Sequence, residues 1–444
     1  MIELPQFEEP ARAPKPPELA SYCVANYPPF SVWQPDHVSA AVAALEKGGR
    51  TDTPLGLYLH IPFCRKRCKF CYFRVYTDKN ADEVDQYTDA LGREIGLYAD
   101  RSGLAGRQFQ FVYFGGGTPS FLSNEQLRRL IGRIRQHWNW DAAREVTFEC
   151  EPGTLKASKL DVISEIVVTR LSLGVEHFDD EVLETNGRAH KSPEIFRAYE
   201  WARKADFPQI NIDLIAGMVG DTDAKWTDTV EKAVSMDPDS VTIYQMELPF
   251  NAVFSREALE SGGSTPVADW ETKRRWVDEA FRRFEQAGYE ISSGYTLVKK
   301  DRHAGFIYRD SLWHGADMIG TGVASFSHFG GVHYQNADRW EDYIAAVDRG
   351  ELPIARALPV TPESRMIREL ILQLKTGRVE KRYFSGKFGV DLDERFRGQF
   401  KELRDEGFLD ASNGELRLTR KGMLRVDALL PRFFEDVYRD IRYT

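Results

Sequence analysis

The amino-acid sequence predicts an α/β fold: a partial (βα)6 barrel with an N-terminal extension and a C-terminal helical, winged-helix-like domain. Six short apolar runs alternate with helical stretches between residues 55 and 290, the pattern of a parallel sheet covered by helices. Polar and glycine-rich residues gather just after those runs, on the rim where βα barrels build their sites. Three cysteines, spaced Cys64-x3-Cys68-x2-Cys71, follow the first run.

Taken in order, residues 1 to about 50 form a Pro-rich extension that ends in a helical segment over 36–47. Strands are predicted at 55–60, 109–114, 146–149, 170–173, 210–215 and 240–245, within a barrel spanning 51–300. The cysteine loop follows the first strand, and Gly115-Gly116-Gly117-Thr118-Pro119 follows the second. Glu149 closes the third strand, Glu176 follows the fourth, and Asp213 lies in the fifth. Residues 301–358 are expected to form a second-ligand or substrate region. From 359 to 444 a helix begins with Thr361 as N-cap and Pro362 in its first turn, and stops near Gly377. A second helix runs from Asp391 to before Gly407, and Asn413-Gly414 marks a hairpin.

Composition excludes several function classes. The net charge of the 444 residues is -9, and the stretch from Asp391 to Asp410 carries seven acidic against four basic residues. Both oppose docking on nucleic-acid phosphates. No run of 18 apolar residues is present, and no basic start leads into an apolar stretch, so neither a membrane span nor secretion is expected. Five scattered cysteines form no disulfide framework, which points to a reducing, cytoplasmic setting.

The cysteine triplet carries the most chemistry. A 4Fe-4S cluster takes thiolate ligands, and three closely spaced cysteines leave one of its four irons open to a substrate or cofactor. The residues between them, Arg65, Lys66, Arg67 and Lys69, would not be accepted in a core. A zinc site is the competing reading, and it would need a fourth ligand such as His60 from a chain that turned back. The basic run itself reads as a solvated loop or as a dock for an acidic electron donor or an anionic substrate.

At Cys64 to Cys71 and Gly115 to Pro119 the chain resembles the radical S-adenosylmethionine (SAM) superfamily. More narrowly, His60-Ile-Pro-Phe-Cys64, Gly115-Gly-Gly-Thr-Pro-Ser120, Leu171-Ser-Leu-Gly-Val175, Asn211-Ile-Asp213-Leu-Ile-Ala-Gly217 and Gly320-Thr-Gly-Val-Ala-Ser325 resemble the oxygen-independent coproporphyrinogen III oxidase family. Asn26-Tyr-Pro-Pro29 and Tyr334-Gln-Asn336 are similar to its flanking motifs, so the resemblance covers most of residues 25 to 430.

The resemblance implies a radical SAM barrel whose 4Fe-4S cluster, on Cys64, Cys68 and Cys71, chelates SAM through its open iron. It implies that Gly115, Gly116, Gly117 and Thr118 form the loop at the methionine amino group, and that Arg188 binds the SAM carboxylate. Glu149 and Asp213 would orient the ligand's polar groups and ribose, and Phe70 would lie against adenine. Tyr58, near the sulfonium, and Glu176 are the candidate catalytic residues, both also placed among the SAM contacts. One or two SAM molecules, a small-molecule substrate and a flavodoxin- or ferredoxin-type electron donor complete the implied set.

Three departures from the oxidases stand out. Phe73 occupies the position of a further Cys, Glu176 that of a Gln, and the stretch between Tyr295 and Gly320 matches only in part. Four readings follow: oxidative decarboxylation of a porphyrinogen, C-methylation with two SAM molecules, haem binding and delivery, or a non-catalytic cluster scaffold. For haem the candidate axial ligands are His303, His314, His328 and His333. The N-terminal extension leans away from the haem chaperone branch, leaving a radical enzyme acting on an organic substrate as the expectation.

Overall fold

Strand β1 (Leu55–Ile61) is buried along six of its seven residues, which requires neighbours on both edges and cover on both faces. In the computed structural model, which describes residues 23–47, 52–248, 252–261, 267–302, 305–410, 414–439 and 441, β1 pairs in parallel with β2 (Phe109–Gly116). From β2 the sheet continues through β3 (Glu145–Cys150), β4 (Arg170–Glu176), β5 (Gln209–Ala216) and β6 (Ser240–Gln245), every pair parallel. All six strands expected from the apolar runs are present.

The sheet extends further than expected. Strand β9 (Asp317–Thr321) pairs in parallel with the free edge of β1. Antiparallel β10 (Phe326–Phe329), β11 (Val332–Asn336) and β12 (Ile354–Pro359) continue outward from it. Beyond β6 lie antiparallel β8 (Thr296–Lys299) and β7 (Tyr289–Ile291), giving twelve strands in the order β12-β11-β10-β9-β1-β2-β3-β4-β5-β6-β8-β7. Residues 301–358 thus supply four strands to the main sheet. Strand β9 lacks an apolar signal because Asp-Met-Ile-Gly-Thr starts on a charge, and Asp317 is buried against Arg107 at 2.8 Å.

The covering helices start where their caps dictate. Asn80 and Ser123 form capping boxes with Glu83 and Gln126, while Thr222 and Asp269 cap the helices Asp223–Met236 and Trp270–Gln286. Leu57, Leu59, Val112, Phe148, Leu171, Ile212 and Val241 belong to one continuous core between helices and sheet.

A second core holds the C-terminal elements together with Val24 and Tyr27 from the start of the described chain. Helix Pro362–Leu374 begins on Thr361, whose hydroxyl accepts from the Ser364 amide. The helix expected from Asp391 is broken at Phe396 (φ -120°, ψ 30°) into Leu392–Arg395 and Arg397–Asp405, and an unanticipated helix, Lys381–Phe388, precedes it. The hairpin is present as β14 (Leu409–Asp410) against β15 (Glu415–Leu418), with β13 (Arg378–Glu380) on the other side of β15. Residues 411–413, with the expected turn residue Asn413, lie outside the described residues.

The N-terminal segment binds both units. The helix predicted over 36–47 is a turn at Pro35–His37 followed by Val38–Glu46. Gln34 exchanges backbone hydrogen bonds with Ala357 of β12, both 2.9 Å. The Tyr27 ring packs on Phe434 at 4.8 Å and its hydroxyl donates to Glu435 at 3.0 Å. Asp427 accepts from the Val24 amide, from Tyr295 beside β8 and from Lys375, whose ammonium lies 3.0 Å away. With Lys375 3% and Asp427 6% exposed, removing one partner leaves the other charge buried and unpaired. Asp427→Ala is expected to cost about 3–5 kcal/mol in a denaturant melt, and Lys375→Met combined with Asp427→Leu is expected to cost less than Asp427→Ala alone.

Candidate iron-sulfur and cofactor site

Parallel pairing of β1 with β2 aligns Ile61 with Gly116, so the cysteine loop and the glycine loop leave the sheet side by side. The Gly117 amide donates to the Ile61 carbonyl at 2.9 Å, joining the two exits. Glycine is required here by space. A Cβ on Gly116, at φ 114°, would sit 2.6 Å from the His60 ring, and one on Gly117 would sit 2.8 Å from the Pro62 backbone.

The cysteine loop is pinned along its length. Cys64 donates its amide to Tyr76 at 3.0 Å, Cys71 to the Cys68 carbonyl at 3.1 Å, and Lys69 to the Asn186 carbonyl at 3.0 Å. Asn186 bonds Val182 and Val219 with its side chain, and Gly187 (φ 79°) lets Arg67 and Cys68 approach closely. This brings Arg188 onto the loop: its Nη1 donates to Cys68 Sγ at 3.3 Å and its Nη2 to the Gly174 carbonyl at 2.7 Å. Thr118 donates its hydroxyl to Cys64 Sγ at 3.4 Å.

The donor set fits a 4Fe-4S cluster. Two thiols already receive hydrogen bonds of the kind that stabilise cluster thiolates. Burial pushes the Cys64 thiol up to about 11 and Cys71 up to about 12, so both protons must leave on ligation. Among the described residues no three His, Cys, Asp or Glu side chains form a single-ion site. Cubane ligands bind separate irons, so they ring a volume rather than converge on one point. His60 does not turn back as a zinc ligand would have to: its Nδ1 bonds the Tyr58 hydroxyl at 3.3 Å within β1, and burial lowers its pKa to about 4.

Three carboxyls and one guanidinium gather near this loop. Glu149 accepts from Tyr113 at 2.6 Å and from the Gly116 amide at 3.3 Å, and burial raises it to about 7. Glu176, held at φ 65°, lies 3.5 Å from Arg188 and is likewise raised to about 7 by burial. Asp213 is raised by burial and accepts from Ser172 at 3.0 Å and Asn211 at 2.9 Å. Burial disfavours the Arg188 charge, but Cys68 and Glu176 outweigh it and hold its pKa above the ordinary value. Its Nε is buried without a partner. Tyr58 stacks on Tyr113 at 5.8 Å, while Phe70 packs toward Val182, Ile215, Met218 and Met246.

Two of the candidate haem ligands are turned inward. His328 and His333 bond each other, Nδ1 to Nδ1 at 3.0 Å, inside the sheet, and His333 also bonds the Tyr27 carbonyl. Neither is presented to a haem. His314 bonds the Asp310 carbonyl beside Tyr383 of the C-terminal unit, and His303 lies outside the described residues. The basic run is partly consumed internally: Arg65 grips Glu151 at 3.0 and 3.1 Å, and Arg67 donates to the Cys71 carbonyl. Gly320 to Ser325 lies against β1, with the Gly322 amide on Glu94 at 2.7 Å and Thr321 on the Tyr58 carbonyl at 3.1 Å.

Glu151 is the residue that sequence reasoning missed. Burial opposes its charge, yet His190 and Arg65 hold it at about 2, so it anchors the cysteine loop to β3. Its signal was the Glu-Pro-Gly-Thr turn that follows Cys150. A cavity of about 820 Å³ lies elsewhere, between Val298 of β8 and the C-terminal sheet, and none of these site residues lines it.

The raised carboxyls make a pH prediction. Glu149 binds its proton more tightly folded than unfolded between the ordinary 4.5 and about 7. Stability from this group is therefore complete below 4.5 and is lost as pH rises through 7. Glu149→Gln keeps an acceptor for Tyr113 and removes the titration, so its stability relative to the parent should improve from pH 4.5 to 8 in denaturant melts. A difference independent of pH would contradict the assignment.

Comparison with known proteins bears on the same residues. Residues 58–233 match the family model of the Radical SAM superfamily, and residues 360–425 that of the HemN C-terminal domain. The heme chaperone HemW of Bacillus subtilis is 30% identical over 372 residues, covering 83% of this chain and 96% of that protein. The oxygen-independent coproporphyrinogen III oxidase of Pseudomonas aeruginosa is 30% identical over 395 residues, covering 86% and 84%. The solved structure of coproporphyrinogen III oxidase (HemN) from Escherichia coli superposes with a TM-score of 0.81 at 25% identity, over 92% of this chain and 96% of that one. The aligned lengths span sheet and C-terminal unit alike, and the chain belongs to the radical SAM superfamily, within the family of oxygen-independent coproporphyrinogen III oxidases and their heme-chaperone relatives.

Proposed function

We propose that this chain is a radical SAM enzyme that holds a 4Fe-4S cluster on Cys64, Cys68 and Cys71, with SAM on the open iron, and abstracts hydrogen from a small organic substrate. The observation that carries the reading is Arg188, a buried guanidinium on Cys68 whose Nε has no partner. A guanidinium matches a carboxylate in two-point geometry, so Arg188 would receive the methionine carboxylate. When bound, the cluster supplies one electron that cleaves SAM to methionine and a 5'-deoxyadenosyl radical.

The chain's own residues do the rest. Glu149 fixes the glycine loop through the Gly116 amide, so the loop's position does not depend on the ligand. Asp213, tied by Ser172 and Asn211, offers a fixed acceptor for ribose hydroxyls. Tyr58 is held by the Tyr113 stack and by His60 at the expected sulfonium end. The substrate would be a tetrapyrrole or another small molecule, since relatives in the family are named for coproporphyrinogen and heme. A flavodoxin- or ferredoxin-type protein would supply the electron, and five free thiols suit a cytoplasmic setting.

A second reading, haem carriage, is favoured by one observation. Tyr72 and Phe73, directly after the third cysteine, are 48% and 45% exposed and stack at 4.4 Å. They offer a flat apolar face where the oxidases carry a cysteine.

Anaerobic reconstitution with dithionite and SAM, followed by mass spectrometry with and without coproporphyrinogen III or haem, separates the readings. 5'-Deoxyadenosine is expected. S-adenosylhomocysteine beside it would indicate methyl transfer, and neither product with tight haem binding would move the assignment to a carrier. Cys64, Cys68 or Cys71→Ala should abolish the cluster absorbance and SAM cleavage together, and a variant keeping both would refute the ligand assignment.

A further inference from the structure

We propose that Arg188 and Glu176 set the reduction potential of the cluster on Cys64, Cys68 and Cys71, with Arg188 raising it and Glu176, acting through Arg188, lowering it. The inference rests on the cluster assignment above and concerns a property independent of the substrate.

The geometry is specific to this pair. Arg188 divides its fork between the Cys68 sulfur at 3.3 Å and the Gly174 carbonyl at 2.7 Å, and its Nη2 lies 3.5 Å from a Glu176 oxygen. The two side chains are only 12% and 13% exposed, so solvent screens their charges weakly. Strand β4 is glycine where they meet: a Cβ on Gly174 would lie 3.1 Å from Glu176 and 3.3 Å from Arg188. Glu176 itself is held at φ 65°. A non-glycine residue keeps such a backbone only when its surroundings enforce it, and such residues concentrate at functional sites.

The sign follows from charge. Reduction adds one electron to the cluster and its thiolates, and no bond is made or broken. A guanidinium on one of those thiolates favours the more negative state, and hydrogen bonds to sulfur act in the same direction. Glu176 opposes this by partly neutralising Arg188. Thr118 also donates to a cluster sulfur, but it carries no charge and no counter-ion. Of the two sulfur contacts, only the Arg188 contact is therefore adjustable through a neighbour. In this role Glu176 acts through Arg188, as a positioning and tuning residue.

The test is a redox titration of the reconstituted full chain without SAM, at alkaline pH, reading the reduced cluster by electron paramagnetic resonance. Glu176→Gln should raise the reduced-to-oxidised ratio at fixed poise about tenfold, about 60 mV at 59 mV per decade for one electron. Arg188→Gln should lower it tenfold or more, and Arg188→Lys should recover most of that loss. In the Arg188→Gln background, Glu176→Gln should move the potential by less than half of its effect alone. Unchanged potentials, or shifts of the opposite sign, in variants with full iron content would overturn the proposal. If Arg188→Gln fails to load iron, Glu176→Gln carries the test by itself. A parent chain that gives no 4Fe-4S signal would instead overturn the cluster reading on which this rests.

Discussion

The structure depends on one register. Parallel pairing of β1 with β2, Ile61 opposite Gly116, sets two loops against each other at the sheet's carboxyl ends. Everything assigned to the site is measured from that junction: thiols on one loop, closely packed glycines on the other, and the Gly117 amide on Ile61 joining them. A slip of one residue would turn each side chain to the opposite face. It would carry His60 away from the glycine loop it packs against. The burial of Leu57 and Leu59 on one face of β1 prevents that slip, so the core holds the chemistry in place.

Charge forms a second layer on this frame. Glu149, Glu176 and Asp213 are drawn from three neighbouring strands, and burial raises all three. Arg188 supplies the opposite sign, and both it and the ion pair of Arg65 with Glu151 act on the cysteine loop. The loop is thus held by charged contacts and backbone hydrogen bonds that the sheet orients, with Phe70 as its apolar anchor. Such an arrangement suits a segment whose sulfurs must face a ligand instead of a core.

Much of this was legible in the chain. The cysteine spacing, the glycine run and six of the seven parallel strands stand out because each is a local pattern: a motif, a turn or an apolar run. Strand β9 was not legible, since its burial depends on Arg107 neutralising Asp317 across more than two hundred residues. Nor was the Glu151 clamp, because an acidic residue in a turn ordinarily faces water. His328 and His333 misled for a related reason. Local sequence does not reveal that His328 and His333 satisfy each other across a hairpin. The break at Phe396 was hidden because its cause lies in the second core, where Phe396 packs on Phe433 at 5.3 Å.

The open sheet has two borders, and they are protected differently. Strand β7 is three residues long and offers little for another chain to pair with. Strand β12 is six residues long, and the N-terminal segment meets it through the two hydrogen bonds between Gln34 and Ala357. An unpaired strand at such a border is a template for association with other chains. The segment around Gln34 is therefore a guard against self-assembly as well as a cover for the core. A shortened chain could keep every cofactor ligand and still lose its solubility, because what it gave up would be the edge rather than the site.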